Sequence, residues 1–116
     1  MLAPTLNDYV SLMLTLFHKF EQYQRGTTGK NYGSNYTYSH KVLVIFFTMM
    51  QFRRNYKFKS QRRWLEKHPK IRVRLGLTAV PHRTTLSRRY KTLYETLQEF
   101  ISFVSEYASL ISEVFS

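Results

Sequence analysis

No cysteine occurs in the 116 residues, so the chain has no disulfide, no thiolate metal ligand and no thiol nucleophile. Its fold rests on packing alone, and a reducing compartment fits. Acids are scarce too: seven Asp and Glu stand against eighteen Lys and Arg, which leaves a formal charge of +11. Such an excess calls for a polyanion, either nucleic acid or an acidic membrane. Long hydrophobic runs are missing. The longest covers residues 42–50 and is broken by Thr48, against the roughly 20 residues needed to cross a bilayer, so no membrane partner is expected. No Lys or Arg precedes Lys19 and no small-residue cleavage site follows, so the front of the chain does not read as a secretory signal. Asn35, Tyr36 and Thr37 match the glycosylation sequon, which without export is a chance match. The expected location is cytoplasmic, with the nucleoid.

The hydrophobic fraction, 43%, with 16% aromatic residues, is enough for one core, and the length suits a single domain over residues 1–116. Charge is unevenly spread along it. Between Arg53 and Lys91 fourteen Lys or Arg face one acid, Glu66, a net of +13 over 39 residues. Residues 1–52 net +2, and residues 92–116 carry four glutamates and no base. A scattered excess would only keep a surface solvated; concentration into one third of the chain points to a polyanion-binding face.

Helical signals recur along the chain. Thr5 with Asp8 three residues on is a capping-box variant, and Leu6, Val10, Met13, Phe17 and Phe20 make one helix face, which predicts a helix over about 5–24, ending before Gly26. Residues 25–38 hold three of the four glycines and read as an exposed loop. Their Gly26-Thr27-Thr28-Gly29-Lys30-Asn31 falls short of a phosphate loop in glycine spacing, in the residue after lysine, and in having no strand before it. Ser39 can cap a segment reaching about residue 54. Its apolar centre has strand composition, yet its length favours a buried central helix.

Ser60 is the expected cap of a short basic helix through Lys67, with Trp64 and Leu65 inward. Pro69 suits the first turn of another short helix that Gly76 would end, although residues 71–75 also alternate with the period of a strand. Pro81 marks a turn. From His82 or Arg83 onward, apolar residues recur at three and four with no Gly or Pro, which predicts one long amphipathic helix to the end. The fold class is therefore all-α: a helical bundle with a helix-turn-helix unit over about 60–91 and a long C-terminal helix.

In such a unit the last helix enters the major groove by its N-terminal residues. With Leu86 at the centre of the core face, 100° per residue sends Thr84, Arg88 and Lys91 to the far side, with Thr85 and Ser87 flanking. Arg88 suits guanine O6 and N7, and Thr84 or Thr85 a thymine methyl or a phosphate oxygen. Arg83 opens the helix, where backbone amides and the dipole favour anions. Arg89 points closer to the core and suits phosphate or scaffold. Arg62, Arg63, Lys67, Lys70, Arg72 and Arg74 are the expected phosphate clamps.

Two stretches carry a family resemblance. Pro69-Lys70-Ile71-Arg72-Val73-Arg74-Leu75-Gly76-Leu77 and Val80-Pro81-His82-Arg83-Thr84-Thr85-Leu86-Ser87-Arg88-Arg89-Tyr90-Lys91 resemble the N-terminal region of bacterial insertion-sequence transposases of the DDE type. The likeness is close over about 25 residues and looser over 39–107. It implies binding to the terminal inverted repeats of a mobile element, ahead of a catalytic domain whose three carboxylates hold divalent metal. Those acids have no counterpart here, since Glu95, Glu99, Glu106 and Glu113 all fall on the last predicted helix. The chain thus looks like the DNA-binding front of a transposase, either a separate domain or a truncated copy.

Catalytic chemistry is not expected. His18, His40, His68 and His82 lie in different elements with no i, i+4 pair, which disfavours a metal site, and nothing calls for a cofactor. Asp8 is explained as a cap, and Glu66 as a partner for Arg62 or Lys70. Two other classes compete with the transposase module. A stand-alone transcriptional regulator would dimerise through the apolar stripe over residues 93–115, and an RNA-binding protein would stack bases on Tyr32, Tyr36, Tyr38 and Tyr56.

Overall fold

The computed structural model describes residues 5–28 and 38–115, with side chains for 5–23 and 38–107. The all-α class holds: the described residues form six helices and no strand. The first, α1 (Leu6–Thr28), opens on the expected capping box. The Thr5 amide donates to the Asp8 carboxylate at 2.9 Å, and the Asp8 amide donates back to the Thr5 hydroxyl at 3.1 Å. Those bonds, the Thr5 backbone amide foremost, hold the exposed Asp8 carboxyl below the usual carboxylate range. The helix does not stop before Gly26 but runs to Thr28. One glycine costs a helix only about 1 kcal/mol, less than a stop requires. The rest of the expected loop, 29–37, lies outside the described residues.

α2 (His40–Phe52) is the buried centre, which decides its helix-or-strand ambiguity. Ser39 caps it as expected, its hydroxyl accepting from the Val42 amide at 3.2 Å. Eight consecutive residues from Leu43 to Met50 are buried, so the helix is covered on every side. Thr48 tolerates this because its hydroxyl donates to the Val44 carbonyl at 2.8 Å. The helix ends two residues earlier than expected, in a Schellman closure: Arg54 N–H bonds to Gln51 O and Asn55 N–H to Met50 O. Arg54 holds the left-handed position at φ 57°, a setting that costs a residue with a Cβ about 1–2 kcal/mol.

α3 (Phe58–Lys67) starts two residues before the expected Ser60, with Lys57 at the N-cap and no side-chain cap bond. Packing wins over cap chemistry here, because Phe58 is drawn onto Tyr90 at 5.8 Å. α4 (Pro69–Leu75) is helix and not strand, closed by Gly76 at φ 103°. A Cβ there would also come within 3.2 Å of the Val42 side chain, so glycine serves both the turn and the approach to α2. The expected single helix from residue 83 is divided into α5 (Arg83–Thr92) and α6 (Tyr94–Phe115) at Leu93. The Thr92 hydroxyl donates to the Arg88 carbonyl at 3.0 Å, a bond that bends helices without Gly or Pro. Backbone bonds still pass the bend, from Leu93 to Arg89 and from Leu97 to Leu93.

α1 and α6 cover α2, and α3 packs on α4 and α5, with α4 joined to α1 and α5 to α6. The body is aromatic: Phe100 meets Phe17 at 5.1 Å and Phe20 at 5.3 Å. Each fully buried ring of this kind contributes about 1.5–3 kcal/mol. Of the stripe over residues 93–115 expected to form a dimer, Leu93, Leu97, Phe100 and Val104 are buried within the chain itself, and the part beyond residue 107 lies outside the described side chains. No helix among the described residues is long and apolar enough to cross a membrane.

Candidate nucleic-acid interface

α5 has its orientation set from both ends and from inside. At its entrance His82 is extended, and its Nδ1 accepts from the Thr84 amide at 3.3 Å. Leu86 is fully buried, and Tyr90 meets Phe47 edge-on at 5.3 Å. Arg89, only 5% exposed, donates from Nη1 to the Tyr38 carbonyl at 2.9 Å. Arg89 thus serves the scaffold. Burial, with the Arg89 guanidinium as a second cause, holds the nearby His40 below the usual imidazole range.

With Leu86 and Arg89 fixed inward, helical rotation turns the expected reading residues out. Arg83, Thr84, Arg88 and Lys91 are exposed, and Ser87 is half-buried. All five line one shallow groove of about 580 Å³, completed by Thr92 and by Phe58 from the start of α3. Thr85 is half-buried and stays outside that lining. Three cations and two hydroxyls along one wall form a surface that can bond phosphate oxygens and base edges alike.

The six expected phosphate clamps divide. Arg62 donates from Nε to the Pro81 carbonyl at 2.9 Å, and Arg72 from Nη1 to the Leu77 carbonyl at 3.4 Å, so both hold the turn between α4 and α5. Arg74 reaches across to α1, where Nη1 bonds the Asn7 carbonyl and side-chain oxygen, each at 2.8 Å, and Nη2 bonds the Ser11 hydroxyl. These three tie the basic unit together and to the body. Glu66, expected beside Arg62 or Lys70, is exposed, while the Arg62 guanidinium goes to the turn. Arg63, Lys67 and Lys70 are exposed, and the two lysines line a smaller groove of about 390 Å³ at the corner of α3 and α4.

The histidines beside the prolines have local duties. His68 stacks on Trp64 at 4.4 Å and places Nδ1 2.8 Å from the Trp64 carbonyl, while His82 caps α5. The Trp64 ring also carries the Arg53 guanidinium at 5.5 Å, a cation–π contact. Phe58 and Thr92 are the groove residues that the sequence did not mark, and Phe58 is the one from another helix. Its signal was an apolar ring between two lysines, Lys57 and Lys59, in a run otherwise rich in charge.

Comparison with protein-family models, with curated proteins and with solved structures finds no match for this chain.

Proposed function

We propose that this chain is a duplex-DNA-binding module that docks through α5, with α3, α4 and the turn over residues 76–82 supplying helix-turn-helix order. One observation carries the reading: five residues named from the sequence, Arg83, Thr84, Ser87, Arg88 and Lys91, line a single groove. Arg88 and Thr84 are the candidates for base edges, and Arg83 and Lys91 for phosphates. Arg63, Lys67 and Lys70, exposed on α3 and α4, extend the phosphate contact. The resemblance of residues 69–91 to insertion-sequence transposases supplies the target class, the inverted repeats that end a mobile element.

Eight cations are exposed on α3, α4 and α5, and those that meet phosphate set the salt dependence. Neutralising about six phosphates gives a slope of log affinity against log salt near −5. Fluorescence anisotropy on a labelled duplex between 50 and 300 mM salt, about the range over which such slopes are read, tests it. A slope near zero would sink the proposal, and so would equal or tighter binding to duplex RNA.

A further inference from the structure

Among the cations and hydroxyls of the groove lies one aromatic ring. Phe58, the first residue of α3, shares one lining with Thr84 and Arg88. It is half-buried and held edge-on to Tyr90 at 5.8 Å, and Tyr90 stands edge-on to Phe47, a core ring only 2% exposed. The ring therefore has little freedom to turn away, and what it leaves exposed faces the groove. An apolar surface held among charged groups has its match in the major groove of DNA in the C5-methyl of thymine, the one apolar group that projects there; cytosine presents only a flush C5–H, and the remaining groups that carry the code are donors and acceptors.

We infer that Phe58 reads a thymine methyl beside the base pair met by Arg88, which makes α3 a second base-contacting element. The inference rests on duplex binding through α5. It also moves the methyl contact away from Thr84 or Thr85, for which the sequence offered a thymine methyl or a phosphate oxygen, and onto a residue of another helix.

The test uses the full chain and a duplex selected from a random pool, with each thymine of the selected site replaced singly by deoxyuridine, which lacks only the methyl. At one position the replacement is expected to weaken binding about fourfold, the worth of one buried methyl group. That preference is expected to survive Thr84→Ser, which removes the threonine's own methyl, and to vanish in Phe58→Ala. A site in which no thymine responds overturns the inference while leaving DNA binding intact. Loss of the preference in Thr84→Ser overturns it too, by returning the contact to α5. Loss of the preference in Thr85→Ser overturns it in the same way, and none of these arms needs a change at Phe58. If Phe58→Ala fails to fold, Phe58→Leu, which keeps an apolar side chain and removes the ring, is expected to weaken the preference. A chain that selects no duplex at all defeats the parent reading and this one together, and the salt slope identifies that case.

Discussion

The body built from α1, α2 and α6 and the basic unit built from α3, α4 and α5 solve opposite problems with the same chain. In the body, Phe17 and Phe20 of α1 close on Phe100 of α6, beside a central helix buried from Leu43 to Met50. In the basic unit the buried set is thin, chiefly Trp64, Leu65, Ile71, Leu75, Leu77 and Leu86, and long cationic side chains occupy the outside. Stability is concentrated in one region and charge in the other. Arg74 crosses that division and fastens the unit to α1, while Arg62 and Arg72 brace the turn within the basic unit. The difference teaches that a cation's contribution depends on where its guanidinium ends, not on its place in a basic run.

The sharpest way to break the contrast is in the body. Phe100→Ala removes a fully buried ring that touches Phe17 and Phe20, and it is expected to cost about 3–5 kcal/mol in urea denaturation. A loss under about 1 kcal/mol would mean the body does not carry the fold. In the groove, Arg88→Ala is expected to leave the denaturation midpoint nearly unchanged and to weaken binding by roughly 1–3 kcal/mol at one base pair. An equal loss on all sequences would reassign Arg88 to phosphate. Arg74→Ala should do the reverse, costing about 1 kcal/mol of stability through its lost bonds to Asn7 and Ser11, with a smaller effect on DNA affinity.

The smallest expected effect comes from pH. His40 has its proton affinity lowered in the folded state, so the unfolded chain binds the proton more readily. Its contribution to stability is full above the ordinary imidazole value of about 6.5 and is lost as pH falls through the lower folded value. Thermal unfolding midpoints between about pH 5 and 8 should therefore drop on the acid side, and His40→Gln should flatten that drop. An unchanged profile in the variant would show that other groups set it.

What the sequence made legible was local. The Thr5–Asp8 box, the Ser39 cap and the Gly76 stop are each contained within a few residues, and each stands where the pattern put it. The outward turn of Thr84, Arg88 and Lys91 followed from the position of Leu86 and the helical repeat. What the sequence left unmarked depended on partners far along the chain. Arg62 finds its acceptor 19 residues away and Arg74 finds one 67 residues away, so nothing near either in the sequence marks its bond. Ser60 lost the start of α3 to packing of Phe58 on Tyr90, a contact between two different helices. The break at Leu93 has no Gly or Pro to announce it, and the apolar repeat runs through it unmarked.

Arg89 governs more than one bond. A helix resting in a greasy trough is free to roll, because apolar contact has no preferred direction, whereas a guanidinium hooked on the Tyr38 carbonyl has one. α5 is thereby keyed like a shaft, and every side chain along its outer edge inherits a single bearing. One extra residue between Thr85 and Leu86 would leave the key seated and swing Arg83 and Thr84 by about 100° away from Ser87, Arg88 and Lys91. The wall would be split in two with its composition unaltered.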